Sequence, residues 1–431
     1  MSLLKHLRIG FTCVVFLVAS AALAQKVVIT PDKADGVYKV GETVTWKLNC
    51  AEDCDSVRYV LKKGGLTDIQ HDDVSFDKGT PQVSYTFDAP GTMLLEVSWG
   101  KGGWGNRSVG GAVANPDQIA LSAEKPKDFD SFWNKQLKQL EKVPANPVLE
   151  KGESGVDNVD YWKISMDNIN GSHIQGQLAK PSSGEKFPAL LIVQWAGVYP
   201  LDKGWAVNRA KDGWLTLNIE AHDLPIDEPK DFYKQQSDGP LKNYPAIGNE
   251  SRETSYFLRM YLSCYRAAQY LTERPDWNGK TLVVMGDSQG GQQTLMTAGF
   301  HPAITAAIAL VPAGFDMLGP DVGRKGGWPQ WYGSTDGKDP AKVHEASRYY
   351  DVANFVTNIK CPVLVGIGLL DETCPPEGIL AGVNQLTTPK QVMILPTSGH
   401  QDRNGSQEPF RTQRDKVWLP ALRDGKGAPV Q

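Results

Sequence analysis

The chain has 431 residues with a formal net charge of −4, of which 41% are hydrophobic and 22% are charged. This balance is typical of globular proteins and excludes extended disorder, collagen-like repeats and coiled coils. The length suits one large domain and one small one. Because lysine and arginine form no block, the sequence favours no binding of nucleic acid.

The N-terminal residues 1–24 have the pattern of a cleavable secretory signal peptide. Lys5 and Arg8 stand ahead of an apolar stretch that ends in small residues. This stretch is shorter than the roughly 20 residues that a membrane span needs. We therefore expect a secreted or periplasmic protein with no membrane span.

The mature chain keeps five cysteines, an odd number, so at least one has no intrachain partner. Cys50 and Cys54 stand close together in a turn-like segment, and an oxidising compartment would allow them to form a disulfide. The chain contains no Cys-x-x-Cys motif and no cluster of histidines and cysteines. The sequence therefore supports no metal site.

Two patterns of hydrophobicity divide the rest of the chain. Residues 25–115 consist of short alternating segments cut by turn residues, which predicts a small all-β domain, an immunoglobulin-like sandwich. The sequence leaves open whether this domain binds glycan or only covers one side of its neighbour. Residues 116–431 begin with a linking helix and continue as apolar strands alternating with helices, which predicts an α/β domain with a mostly parallel sheet.

A Gly-x-Ser-x-Gly motif at residues 286–290 places Ser288 between a predicted strand and a predicted helix. This is the context of a nucleophile elbow, in which glycines on either side allow a strained turn. Serine is a poor nucleophile at its ordinary pKa, so an acid and a histidine should follow it in the chain. The motif therefore predicts a Ser-His-Asp triad.

Asp371 and His400 each follow a predicted strand and come after Ser288 in the required order. We predict Asp371 as the acid, with Glu372 and Asp316 as alternatives. We predict His400 as the base, with His222 as its rival. A mechanism built on these groups needs no metal and no cofactor.

The oxyanion of a tetrahedral intermediate needs two backbone N–H donors. The sequence predicts Gln289, which follows the nucleophile, as the first donor. The second should come from the turn after the third predicted strand of the α/β domain, Trp195-Ala196-Gly197, and we predict Gly197.

Several motifs in the second domain resemble the acetyl xylan esterase and cephalosporin C deacetylase family of α/β-hydrolases. The similarity is colinear over roughly residues 120–424, and its motifs are DFDSFW at 128–133, GDSQGG at 286–291, KCPVL at 360–364, GLLDETCPP at 368–376 and GH at 399–400. The resemblance implies an α/β-hydrolase fold and the same roles for Ser288, Gln289, Asp371 and His400. It also implies acetylated xylan or xylo-oligosaccharides as substrates and a homo-oligomer as a possible assembly.

Two loops depart from the family pattern. Trp195-Ala196-Gly197 stands where the family usually has His-Gly-Tyr, and a Glu-Ala-His-Asp segment at residues 220–223 replaces the family's Asp-x-Arg-Gly. Three tryptophans occupy loops where a sugar could meet them, and flat aromatic faces suit sugar rings. We predict Trp195, Trp328 and Trp331 as substrate-binding residues.

The leading hypothesis is a secreted serine esterase that removes acetyl groups from carbohydrate through an acyl-enzyme. Other hydrolases with the same triad, a serine peptidase or a glucuronoyl esterase, are the first alternative. A carbohydrate-binding protein on a retired hydrolase scaffold is the second. The intact, ordered triad residues argue against this last reading, because a binding protein needs none of them.

Overall fold

The computed structural model describes residues 26–51, 54–100, 102–333, 335 and 337–430. The predicted signal peptide, residues 1–24, lies outside the described residues.

The N-terminal part contains eight strands: β1 Val27–Pro31, β2 Val37–Tyr38, β3 Thr43–Cys50, β4 Ser56–Lys63, β5 Thr67–Ser75, β6 Gln82–Thr86, β7 Gly91–Ser98 and β8 Arg107–Ala114. They form a three-stranded sheet in the order β1-β3-β6 and a five-stranded sheet in the order β2-β8-β7-β4-β5. We call this unit, residues 26–115, the sandwich.

The two sheets of the sandwich share one core. Val44, Trp46 and Leu48 alternate along β3 and are all buried, as the period of two predicts. They pack against Tyr59 and Leu61 of β4 in the other sheet. Division of successive strands between two sheets in this order is the immunoglobulin-like arrangement that the sequence indicates. A disulfide joins Cys50, the last residue of β3, to Cys54, two residues before β4.

Helix α1, Phe129–Glu141, links the sandwich to the second domain. Its apolar residues recur at helical spacing, and the face that they form is buried. Trp133 lies at the centre of this face, with its ring 5.7 Å from that of Tyr261 and its Nε1 donating to the carbonyl of Tyr349 at 3.0 Å. The linking helix is thus part of the main core and not a flexible connection.

The second domain is built on a nine-stranded sheet. Its strands are β9 Val148–Gly152, β10 Val159–Asp167, β11 His173–Pro181, β12 Phe187–Ile192, β13 Leu215–Ile219, β14 Trp277–Asp287, β15 Ala306–Leu310, β16 Val363–Gly368 and β17 Lys390–Leu395. They follow the order β17-β16-β15-β14-β12-β13-β11-β10-β9. Pairing is antiparallel from β9 to β13 and parallel from β13 to β17.

Helices cover this sheet and account for the near-continuous apolar character of its central strands. The helices after the linking helix are α2 Lys203–Lys211, α3 Lys230–Asp238, α4 Tyr256–Glu273, α5 Gln289–Phe300, α6 Pro340–Ser347, α7 Val352–Val356, α8 Pro376–Val383, α9 Glu408–Thr412 and α10 Leu419–Arg423, with a π-helical segment at Gln413–Trp418. None of the helices in the described part of the chain is both long and apolar enough to cross a bilayer.

Parallel pairing brings the carboxyl ends of neighbouring strands to one edge of the sheet. Ser288 follows β14, Asp371 is the third residue after β16, and His400 lies in the turn after β17. Since β14, β15, β16 and β17 are adjacent, the fold delivers three chemically active side chains to the same edge.

Candidate active site

Ser288 sits in a sharp turn between β14 and α5. Its φ and ψ are 57° and −121°, a sparsely populated conformation for a residue with a side chain. A Cβ on Gly286 would come within 2.6 Å of the Gly290 backbone, and one on Gly290 within 2.6 Å of the Val193 carbonyl oxygen. Contacts under 3.0 Å are not tolerated, so both glycines of the motif are sterically required.

The three predicted triad residues meet in a continuous hydrogen-bonded chain. Ser288 Oγ lies 2.9 Å from His400 Nε2, and His400 Nδ1 lies 2.8 Å from Asp371 Oδ2. Because a carboxylate only accepts, Nδ1 carries the ring proton and Nε2 is free to accept the proton of the serine hydroxyl. The arrangement can deprotonate Ser288 and stabilise the imidazolium that forms.

Asp371 is held on both of its oxygens. Oδ1 accepts the backbone N–H groups of Thr373 and Cys374, each at 2.8 Å, while Oδ2 faces His400. The side chain is completely buried. This fixes the carboxylate, and through it the imidazole, in one orientation.

The alternative acids are engaged elsewhere. Glu372 accepts two hydrogen bonds from the guanidinium of Arg107, at 3.0 and 3.1 Å. Asp316 is buried and pairs with Arg324 at 2.6 Å. Neither carboxylate contacts His400, so the geometry favours Asp371.

His222, the rival base, lies in a buried network and does not contact Ser288. Its Nε2 is 2.9 Å from the carbonyl oxygen of Gly197, so Nε2 carries the proton and Nδ1 accepts from the Tyr256 hydroxyl at 2.7 Å. Burial lowers the pKa of His222 to about 4, which keeps the ring neutral at pH 7. His222 therefore orients the turn that contains Gly197.

The N–H of Gln289 is available for an oxyanion. Gln289 is the first residue of α5, where a backbone N–H has no acceptor within the helix. Within the described part of the chain it donates to no other group either. Its side chain points away from Ser288, and its Oε1 accepts the hydroxyl of Tyr244 at 2.5 Å.

Gly197, the predicted second oxyanion donor, lies in the turn after β12. Its N–H points to the hydroxyl of Tyr244, 3.4 Å away, and Gly197 does not line the cavity above Ser288. Gln194, Trp195 and Ala196 line that cavity. The direction of a peptide N–H in a turn depends on local φ, which is 132° at Gly197, and sequence spacing does not reveal it.

Glu220 lies behind the same turn and is 2% exposed. It forms no salt bridge with any described residue. Burial raises the pKa of Glu220 to about 8, although the N–H groups of His222 and Ala221 act in the opposite direction. Glu220 is therefore a neutral carboxylic acid at pH 7.

Ser288 and His400 open into a cavity of about 1090 Å³. Trp195 and Trp328, two of the predicted substrate-binding residues, line it, and Trp195 is 42% exposed. Trp331 does not line it: this residue is 2% exposed and its ring packs 5.4 Å from that of Phe257. Trp331, also predicted to bind substrate, therefore lies in the core and not in the cavity wall.

Residues that sequence reasoning missed complete the cavity. Trp205, at the start of α2, lies 5.0 Å from the ring of Trp195 in an edge-to-face contact. Arg411 and Arg414 come from the C-terminal helical region. None of these belongs to a recognisable motif, and only the tertiary fold brings them to Ser288.

Among the described residues, the His, Cys, Asp and Glu side chains close enough together to hold a metal ion are Asp371, Cys374 and His400, with ligand atoms within 4.8 Å of one another. Two of these are already hydrogen-bonded to each other. Burial raises the pKa of the Cys374 thiol well above its usual value, so the thiol stays protonated and is a poor ligand. This set suits proton transfer better than metal binding.

Two family models match the chain. The acetyl xylan esterase model matches residues 119–317, and the prolyl oligopeptidase family model matches residues 261–421. Acetyl esterase Axe7A of Xylanibacter ruminicola is 30% identical over 383 residues, covering 86% of this chain and 85% of the relative.

Solved structures that are similar to this chain include two acetyl xylan esterases. Acetyl xylan esterase 1 from Thermoanaerobacterium sp. JW/SL YS485 superposes with a TM-score of 0.59 at 20% identity, covering 69% of this chain and 96% of that one. Acetyl xylan esterase from Paenibacillus sp. R4 superposes with a TM-score of 0.60 at 20% identity, covering 70% and 98%.

The largely parallel sheet, with a strained serine turn leading from β14 into a buried helix, makes the second domain an α/β-hydrolase. Both family models describe proteins of this class, so the class alone does not separate esterase from peptidase. The 30% identity with Acetyl esterase Axe7A over most of both chains decides in favour of the esterase. The chain belongs to the acetyl xylan esterase family.

The raised pKa of Glu220 predicts a pH dependence of stability. As pH rises from 4.5 to about 8, Glu220 ionises in the unfolded chain but stays protonated in the folded one, so the free energy of unfolding falls. Glu220→Gln removes this loss. We expect its melting temperature to equal that of wild type near pH 5 and to exceed it by a few degrees at pH 8.5. The control is Glu150→Gln, whose side chain is 75% exposed, and a constant offset across pH would contradict the prediction.

Proposed function

We propose that the protein is a serine carboxylic ester hydrolase that removes acetyl groups from carbohydrate, with acetylated xylan or xylo-oligosaccharides as its substrate class, through an acyl-enzyme. The observation that carries the proposal is the chain of contacts from Ser288 Oγ to His400 at 2.9 Å and from His400 to Asp371 at 2.8 Å, at the base of an open cavity.

In the first half of the reaction, Ser288 Oγ attacks the acetyl carbon while His400 Nε2 takes the serine proton. Asp371 holds the imidazole in the required tautomer and stabilises its positive charge. The oxyanion lies against the N–H of Gln289 at the start of α5. The intermediate then collapses, His400 returns the proton to the sugar oxygen, and the acetyl group remains on Ser288.

In the second half, water attacks the acetylserine with His400 as base, and acetate leaves as Ser288 recovers its proton. The second oxyanion donor comes from the Trp195-Ala196 segment of the cavity wall. The N–H groups of these two residues donate to no acceptor in the described part of the chain, which supports this assignment. Loss of one such donor typically raises the barrier by about 2.7 to 4 kcal/mol.

The shape and lining of the cavity support a carbohydrate substrate. At about 1090 Å³ it accommodates more than the acetyl group alone. Aromatic side chains of Trp195, Trp205 and Trp328 stand beside polar ones such as Asp402 and Arg411. Apolar faces for sugar rings and polar groups for hydroxyls are the combination that a polysaccharide chain requires.

Secretion forms part of the proposal. The signal-like residues 1–24 support it, and so does the disulfide between Cys50 and Cys54, since structural disulfides persist in oxidising compartments.

A serine peptidase is the second candidate, because the prolyl oligopeptidase family model overlaps the triad region. The sandwich argues against it. Prolyl-oligopeptidase-like enzymes carry a propeller, which has several four-stranded blades around a channel. The eight short strands of the sandwich instead form two packed sheets.

Ser288→Ala should lower kcat for 4-nitrophenyl acetate by at least about 10³-fold, because no other group replaces the nucleophile. Acetate release from acetylated xylo-oligosaccharides should fall equally, while the melting temperature stays near that of wild type. The control is Ser165→Ala, a strand residue of β10 far from the site in sequence. Turnover by Ser288→Ala within tenfold of wild type would exclude the mechanism.

Trp195→Ala should separate sugar binding from chemistry. Trp195 is exposed in the cavity and is not in the triad, so its loss should raise KM for acetylated xylo-oligosaccharides about tenfold. The KM for 4-nitrophenyl acetate, which carries no sugar, should change by less than threefold. Trp99→Ala, in the sandwich, is the matched control. Equal effects on both substrates would rule out a sugar-binding role for Trp195.

A further inference from the structure

The sandwich lies directly against the segment that contains Asp371. We call residues 369–377 the acid loop. Gly111 of β8 is so close to it that an added Cβ would lie 2.6 Å from the Leu369 carbonyl oxygen. Gly36 makes a similar approach, with its Cβ position 2.8 Å from the Leu369 side chain. Glycine at these positions lets the sandwich reach both the backbone and the side chain of Leu369.

An ion pair joins the two units at the residue after the acid. Arg107, the first residue of β8, donates from Nη1 and Nη2 to the two oxygens of Glu372, at 3.0 and 3.1 Å. Nη2 also donates to Glu96 of β7 at 2.8 Å. The side chains of Arg107 and Glu372 are only 12% and 21% exposed. Partial burial and bidentate geometry make this pair stronger than an ordinary surface salt bridge.

A second contact holds the other end of the acid loop. Glu377, in the first turn of α8, accepts the backbone N–H and the hydroxyl of Thr92 of β7 on one oxygen, at 2.7 and 2.8 Å. Its other oxygen lies 3.5 Å from Arg324. Next to Arg324, the N–H of Lys325 donates to the carbonyl of Gly64 at 2.9 Å. The sandwich thus contacts the acid loop at its start, middle and end.

We propose that the sandwich is a positioning element for the catalytic acid, and that Arg107 and Glu372 are positioning residues that fix Asp371 against His400, given the acyl-enzyme mechanism proposed above. Asp371 is flanked in the loop by Leu369 and Glu372, both of which the sandwich holds. Its Oδ1 bonds come from the loop's own amides at Thr373 and Cys374. A shift of the loop therefore moves the carboxylate and its donors together.

The comparisons agree with a built-in role for the sandwich. The 383-residue alignment with the relative at 30% identity is longer than the 316 residues from 116 to the C-terminus, so it extends into the sandwich. The two solved esterases are matched over 96% and 98% of their lengths by 69% and 70% of this chain. About 30% of this chain therefore has no counterpart in them.

The test compares four variants of the full chain. Arg107→Met removes the guanidinium, Arg107→Lys keeps the charge without the bidentate geometry, and Glu372→Gln removes only the negative charge. The double variant Arg107→Met/Glu372→Gln tests whether the two residues act as one unit. Arg58→Met is the control, since Arg58 pairs loosely with Asp73 at 3.9 Å on the exposed face of the same sandwich.

We expect Arg107→Met and Glu372→Gln to lower kcat for 4-nitrophenyl acetate about 10- to 100-fold, with KM within twofold, because a misplacement of about 1 Å costs on the order of 10²-fold. The kcat of Arg107→Lys should lie between those of these two variants and that of wild type. The double variant should be no worse than the more impaired single variant. Arg58→Met should match wild type.

Hydrogen exchange separates this proposal from the proposed function. In Arg107→Met, peptides covering residues 369–377 should exchange about tenfold faster than in wild type, while peptides of α4 do not change. If wild type proves to have no Ser288-dependent esterase activity, the proposed function fails and the exchange result still tests the contact. Folded Arg107→Met and Glu372→Gln with kcat within twofold of wild type, or with unchanged exchange in the acid loop, would overturn the proposal.

Discussion

The active site depends on one strained turn. Ser288 holds a φ of 57° in a region that costs of order 1–3 kcal/mol, and packing on every side maintains it. Its N–H donates to Leu310 at the end of β15, and its carbonyl accepts from Ala313. The missing side chains of Gly286 and Gly290 let the Val193 carbonyl approach closely. The turn places the hydroxyl against His400, and the adjacent N–H of Gln289 has no acceptor among the described residues.

A buried polar layer supports the cavity wall opposite the triad. His222 donates to Gly197, whose N–H points to Tyr244, and Tyr244 donates to the side chain of Gln289. The residue after the nucleophile is thereby connected to the turn that carries the other cavity wall. Since His222 is neutral and Glu220 is protonated at pH 7, this layer carries no net charge from these two groups. A developing oxyanion therefore meets oriented dipoles on this side and no charge from Glu220 or His222.

The sequence predicted those parts of the site that local pattern and chain order determine. Ser288 follows from a strand, glycines and a helix, and Asp371 and His400 follow from strand ends in a parallel sheet. The contact of the Gly197 N–H with Tyr244, 47 residues away, leaves no local signal in the sequence. The inward position of Trp331 depends on packing against Phe257, which the local sequence does not reveal either.

Contacts between the two domains were beyond sequence reasoning for the same physical cause. Glu372 was an alternative acid on spacing alone, and nothing local indicates that Arg107, 265 residues earlier, binds it. Sequence motifs reveal positions where the local backbone conformation is restricted. Contacts between residues far apart in the chain give no periodic pattern. By hydrophobic pattern the sandwich is a separate domain. In the structure its glycines at positions 36 and 111 lie directly against Leu369 of the acid loop.

The acyl-enzyme is the central claim, and its direct test is mass spectrometry of the intact protein quenched within milliseconds of mixing with excess 4-nitrophenyl acetate. We expect an added mass of one acetyl group on the peptide that contains Ser288. This added mass should disappear as the substrate is exhausted. Rapid turnover with no acetylated protein at any time, or acetylation confined to another residue, would contradict it.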